Sequence, residues 1–196
     1  IVTRPPHLNG MGIPAGLIDA ASFQAVGAAL AAEEFGLSMV QDETTTAKEM
    51  VLEILRHIDA VMYSEPTTGL VTLKLIRADY DPETIPVLDE SNCTIKSFSR
   101  PEWGELRNTI RVKYTARRTV GDQFVEKVAS AQDLAAVERM GGQVISQDFD
   151  FPGISYAPTA QAVAARELKT IAYPLAAMVI EANRVAWQFR PGTVFK

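Results

Sequence analysis

Carboxylates are the most numerous groups able to do chemistry in this chain, 24 in 196 residues, and their spacing limits what they could do. Glu33 with Glu34, and Asp89 with Glu90, are adjacent in sequence, so the two members of a pair point differently instead of facing one another across a sugar, as glycoside hydrolysis requires. Asp79, Asp81 and Glu83 alternate as if to collect oxygens around a hard cation. A helix-loop-helix calcium loop starting at Asp79 needs glycine at its sixth position and glutamate at its twelfth. Thr84 and Glu90 stand there and Pro82 intrudes, so the segment reads as a solvated acidic turn. His7 and His57 are the only imidazoles, and no Gly-x-Ser-x-Gly elbow is present to use them. His57 falls at the end of an expected helix, where a protonated ring would interact with the C-terminal carbonyls. Cys93 is the single cysteine, which excludes an intrachain disulfide and any cysteine metal cluster. It lies in an alternating segment and reads as a small buried apolar residue. Gly10 to Gly16 approaches a dinucleotide loop, but its last glycine comes one residue late, no expected strand precedes it, and Pro14 interrupts it. No catalytic, metal or cofactor set assembles from these residues, and the chain reads as non-enzymatic.

One basic set stands out on an acidic chain: Arg111, Lys113, Arg117 and Arg118. Two of them share a strand face, so they form either a solvated edge or a contact with an acidic partner or a passing nucleic acid. Net charge is −5, so no global field draws the chain to nucleic acid or to an anionic membrane. The longest uncharged helical stretch, Ala20 to Ala32, contains Gln24 and Gly27 and falls short of the roughly 20 apolar residues that span a bilayer. The aromatic residues Trp103, Trp187, Phe189 and Tyr173 could line a carbohydrate groove, although packing is the commoner fate of such side chains.

These residues need elements to hold them. Residues 1–20 are rich in Pro and Gly and read as a linker or wrapping arm, with one domain over 21–196. A helix is expected from Ser22 to Phe35, stopped at Gly36. A second begins at the capping box Thr46-Ala47-Lys48-Glu49 and carries Met50, Val51, Ile54, Leu55 and Ile58 as a stripe. Strands follow at Ala60–Ser64 and Leu70–Arg77 around a Pro/Gly turn, then near Thr94–Phe98. The strand Asn108–Thr115 alternates Ile110, Val112 and Tyr114 against Thr109, Arg111, Lys113 and Thr115. A short strand at Phe124–Val128, a helix capped within Ser130–Asp133, a strand at Gln143–Phe149 and a helix from Thr159 to about Ala172 complete the middle. A strand within Leu175–Ala182, a turn, and a last strand at Thr193–Phe195 close the chain. With hairpin signals and no regular strand-helix-strand alternation, the fold class is α+β: mixed, mostly antiparallel sheets or a partial barrel with about four helices. A chain that opens on Ile1 and stops inside an expected strand reads as a fragment of a larger protein, truncated at its C-terminus.

From about Thr46 onward the chain resembles the hub, or tip attachment, domain of tailed-bacteriophage tail proteins, relatives of lambda's J protein and of the tail-tip protein of gene transfer agents. The runs that carry the resemblance are Leu73 to Pro82, Val87 to Asn92, Phe98 to Pro101 leading to Asn108–Tyr114, Ala131 to Ala135, and Asn183 to Gly192. The resemblance implies a virion structural protein without catalytic residues or cofactors, a homotrimeric ring below the tail tube that supports host attachment and genome delivery. It implies other tail proteins as partners, a host receptor met indirectly, and residence at the virion tail tip after assembly in the bacterial cytoplasm. Two departures stand out: Thr193 replaces the family's usual acidic residue after the Pro-Gly turn, and the strands expected beyond Lys196 are missing. A peptidoglycan hydrolase and a receptor- or carbohydrate-binding module of the tail tip are the alternatives.

Overall fold

A computed structural model describes residues 1–40, 45–117 and 124–196. Its elements are α1 (Ala20–Ala32), α2 (Ala47–Ile58), β1 (Ala60–Ser64), β2 (Val71–Leu75), β3 (Cys93–Ser99), β4 (Thr109–Arg117), β5 (Phe124–Gln132), α3 (Leu134–Arg139), β6 (Ser146–Asp150), α4 (Ala157–Ile171) and β7 (Ala177–Ala182), with short 3-10 turns before α1, between β3 and β4, and after β7. The fold is α+β. Among the described residues three sheets form, β1–β2, β3–β7 and β5–β4–β6, and none of these closes into a barrel. The chain divides into two compact units: Ile1–Phe35, Val40–Thr94 and Ala182–Lys196 in the first, Gly36–Met39 and Ile95–Glu181 in the second.

In the first unit α2 starts as its sequence dictates. Thr46 Oγ1 accepts from the Glu49 N–H while Glu49 accepts from the Thr46 N–H, a reciprocal box that satisfies two orphan donors. Asp59, at φ 53°, then turns the chain directly into the antiparallel β1–β2 hairpin. The helix α1 docks on β2: Ile18 bridges Val71, and Ser22 Oγ accepts from the Leu73 N–H at 3.1 Å. It stops earlier than expected. Glu34 adopts φ 53°, its N–H bonds to Ala31 and that of Phe35 to Leu30, a Schellman arrangement built on glutamate two residues before the glycine that signalled it.

The expected strand through Arg77 ends at Leu75 because Arg77 serves another purpose. Its guanidinium grips Glu33 bidentately at 2.7 and 2.8 Å and donates to the Ile58 carbonyl at 3.2 Å. One side chain thereby caps the C-terminus of α2 and holds the end of α1. Cys93, expected to be buried, is half-exposed at the start of β3.

The second unit is organised by β4, which pairs antiparallel with β5 and parallel with β6. Its alternation is realised: Ile110, Val112 and Tyr114 are buried beneath α4, whose Thr159, Ala160, Val163 and Ala164 form the facing stripe. Phe151 and Ile154 complete this core. Asn108 is fully buried and satisfied. Its Nδ2 donates to the Gln143 carbonyl at 2.7 Å, and its Oδ1 accepts from the Ile145 N–H at 2.8 Å, which pins the approach to β6. The strand β5 runs on to Gln132, so the cap of α3 is Asp133, whose Oδ1 accepts from the Ala136 N–H. No strand forms at Thr193–Phe195. The Thr193 N–H turns back to the Arg190 carbonyl instead, and the following Lys196 is tied to the 82–88 loop, its N–H on Pro86 and its carbonyl accepting from the Leu88 N–H.

Because Ile110 is covered and Val128 on the opposite face is 53% exposed, truncation should separate the two faces. Ile110→Ala is expected to cost about 2–5 kcal/mol in urea unfolding, whereas Val128→Ala should stay within about 0.5 kcal/mol; equal losses would show that both faces are packed.

Candidate functional site

The face of the β5–β4–β6 sheet opposite α4 carries the basic residues singled out by sequence. Register sets Arg111 beside Ser130 and Asp148, and Lys113 beside Val128 and Asp150. Arg111 Nε donates to Asp148 Oδ1 at 2.7 Å, and Lys113 Nζ lies 3.7 Å from Asp148 Oδ2. The Arg111 guanidinium, with help from Lys113, holds the Asp148 carboxyl below the usual carboxylate range. All three side chains remain substantially exposed, so the cluster is screened and adds little to stability. Arg117 ends β4 opposite Phe124 in the register, and Arg118 lies outside the described residues.

Sequence reasoning therefore found the two cations but missed their acid. A signal was present: Asp148 and Asp150 alternate with Gln147 and Phe149, a strand with one wet face. Parallel pairing of β6 with β4, which brings Asp148 to Arg111, is a long-range fact that local pattern does not carry. With Glu126 also on this face, its charge is mixed, and it suits a surface of similarly mixed charge better than a polyanion.

A second ionic site escaped sequence analysis altogether. Arg190 clasps Glu65 with Nε at 2.8 Å and Nη2 at 2.6 Å, while Glu65 also accepts from the Thr67 hydroxyl and N–H. The chain beyond Asn183 is thereby strapped onto the β1–β2 turn. Gly192, at φ 78°, sits so close to Ile76 that a Cβ would come within 2.6 Å of its Cδ1. Thr193, the residue that departs from the resembled family, closes this turn by accepting the Arg190 N–H on its hydroxyl at 2.9 Å. Phe189 stacks on Phe195 at 5.7 Å, and Trp187 is exposed.

The remaining candidates have local roles. His57 is fully buried, and its Nδ1 lies 2.8 Å from the Glu53 carbonyl. A carbonyl only accepts, so Nδ1 carries the hydrogen, and the ring bonds one turn back inside α2. Asp81 and Asp89 accept from nearby N–H groups of their own loop. Among the described residues no three His, Cys, Asp or Glu side chains converge as a metal site, and no helix is long and apolar enough to cross a membrane.

Residues 46–196 match the family described as "Putative phage tail protein", and the chain belongs to that family. No curated protein matches it. Among solved structures it is similar to the 43 kDa tail protein of prophage MuSo2 from Shewanella oneidensis, at 13% identity and a TM-score of 0.39, over 67% of this chain and 36% of that one. The chain thus spans about a third of that tail protein's length, and a likeness this weak carries no functional argument.

Arg190 holds the Glu65 carboxyl down to about 2 from its ordinary 4.5. A depressed folded value contributes stability that is present above the unfolded value and lost as pH falls through the folded one, so the strap should loosen between about pH 4.5 and 2. Carboxyl titration by NMR should give a Glu65 midpoint near the lower figure and return it toward the higher one in Arg190→Met; an ordinary midpoint in the unaltered chain would show that the clasp does not form.

Proposed function

We propose that this chain is a structural component of the phage tail tip or baseplate hub, part of a ring of three copies below the tail tube that supports host attachment and genome delivery, with no catalysis of its own. The observation that carries the reading is the match of residues 46–196 to the tail family. The open sheet face supports it, because exposed cations and acids interspersed on a rigid strand give register and specificity between subunits. On this reading Arg111, Lys113, Arg117 and Arg118 meet acidic groups of a neighbouring tail protein, and the receptor is engaged only through other parts. Residues 21–196 serve as the hub-like portion, residues 1–20 as an arm, and assembly in the bacterial cytoplasm precedes residence at the virion tail tip.

Gold labelling of tails that carry a peptide tag on this chain should mark only the distal end, at three copies per tail by quantitative mass spectrometry. Label along the whole tube, or none in virions, contradicts the placement. The double change Arg111→Glu with Lys113→Glu should cut tail assembly at least tenfold while the chain still folds; undiminished assembly removes these residues from the interface.

A further inference from the structure

Residues 183–196 follow β7 and belong to the first unit without entering its core. All of them are described, and none is buried. The shape of the segment comes largely from within it. The Ala186 N–H donates to the Asn183 carbonyl, that of Phe189 to Ala186 and that of Thr193 to Arg190, while the Arg190 guanidinium reaches back to the carbonyls of Trp187 and Phe189. With Phe189 stacked on Phe195, the segment is braced by its own contacts and moves as one body.

Its ties to the rest of the unit are mainly polar. Arg190 clasps Glu65, Lys74 Nζ donates to the Gly192 carbonyl at 3.0 Å, and Lys196 Nζ donates to that of Pro82 at 3.0 Å. Backbone bonds add the Asn183 N–H on Asn92, the Lys196 N–H on Pro86 and the Leu88 N–H on Lys196. Both ammonium contacts are exposed, whereas the side chains of the clasp are only 15% and 21% exposed, which makes the two-pronged clasp the strongest single tie. Beneath the segment lies the hairpin face of Val61, Lys74 and Ile76, on which Gly192 rests. In the same unit α2 is held by its buried Met50, Val51 and Ile58. Parts with few buried apolar contacts open locally, at a smaller free energy than the elements around them.

We propose that residues 183–196 form a latch, lifting off the β1–β2 hairpin as one piece while α2 and the hairpin stay folded, with the Arg190–Glu65 clasp setting how often it opens. Opening bares Val61 and Ile76 and frees the Glu65 carboxylate. Glycine at position 192 is what lets the latch close. A Cβ there would come within 2.6 Å of Ile76 Cδ1, at a φ of 78° that other side chains rarely adopt.

Amide hydrogen exchange on the whole chain, read residue by residue by NMR, tests the latch. Leu88 is the sensor, because it lies outside the segment and its N–H is bonded to Lys196. Leu88 and Lys196 should show matching protection, below that of the Ile54–Ile58 amides inside α2. Glu65→Gln should lower protection at both by at least about threefold. Gly192→Ala should lower it at least as much without touching the ion pair, while α2 keeps its protection in both variants. Protection lost from α2 by the same factor, or a variant that fails to fold, shows that the segment opens only with its unit and overturns the latch. Leu88 as protected as α2 in the unaltered chain, or unchanged by either variant, overturns it as well.

Discussion

Burial of alternate residues along β4 is the constraint on which the second unit depends. With Ile110 and Val112 wholly out of solvent and Tyr114 nearly so, the strand's orientation is fixed, since a slip by one residue would drive Arg111 and Lys113 into the α4 interface. Everything on the open face follows from that orientation. Asp148 meets Arg111 because β6 must lie in register beside a strand that cannot turn over, and Asn108 holds the approach to β6 in place with bonds that leave none of its polar atoms unsatisfied. A packed face thus produces a rigid, patterned face opposite.

The first unit is held differently. Among the described residues its buried apolar side chains are few, Val26, Met50, Val51, Ile58 and Leu75, and long-range polar ties supplement them. Arg77 joins the ends of two helices, and Arg190 fastens the terminal segment to a hairpin turn. Arginine suits both positions because a planar fork can satisfy a carboxylate and a backbone carbonyl together. A lysine would provide the charge without the geometry.

What the sequence disclosed and what it withheld divide along the same physical line. The capping box at Thr46, the stripe of α2, the β1–β2 hairpin and the alternation of β4 are local patterns, and each was legible. The stop of α1 was misplaced because a glutamate, and not the following glycine, took the left-handed conformation. The last expected strand at Thr193–Phe195 was misplaced because a β-like composition says nothing about whether a partner strand is in reach. Likewise the acids of both ionic sites, Asp148 for Arg111 and Glu65 for Arg190, come from segments 37 and 125 residues away, a separation no local period encodes. The basic pair was therefore visible as an oddity on an acidic chain, while its neutralising partner was not.

If contact between subunits is what this chain does, its backbone must slow its exchange with water where those contacts form. Amide hydrogen exchange on the chain alone and within assembled tails measures this directly. Added protection concentrated in β5 and β6, the edge strands of the sheet whose open face carries Arg111 and Lys113, is the predicted result. Identical exchange in the two states, with those strands as unprotected in the tail as in solution, would contradict a role based on subunit contact.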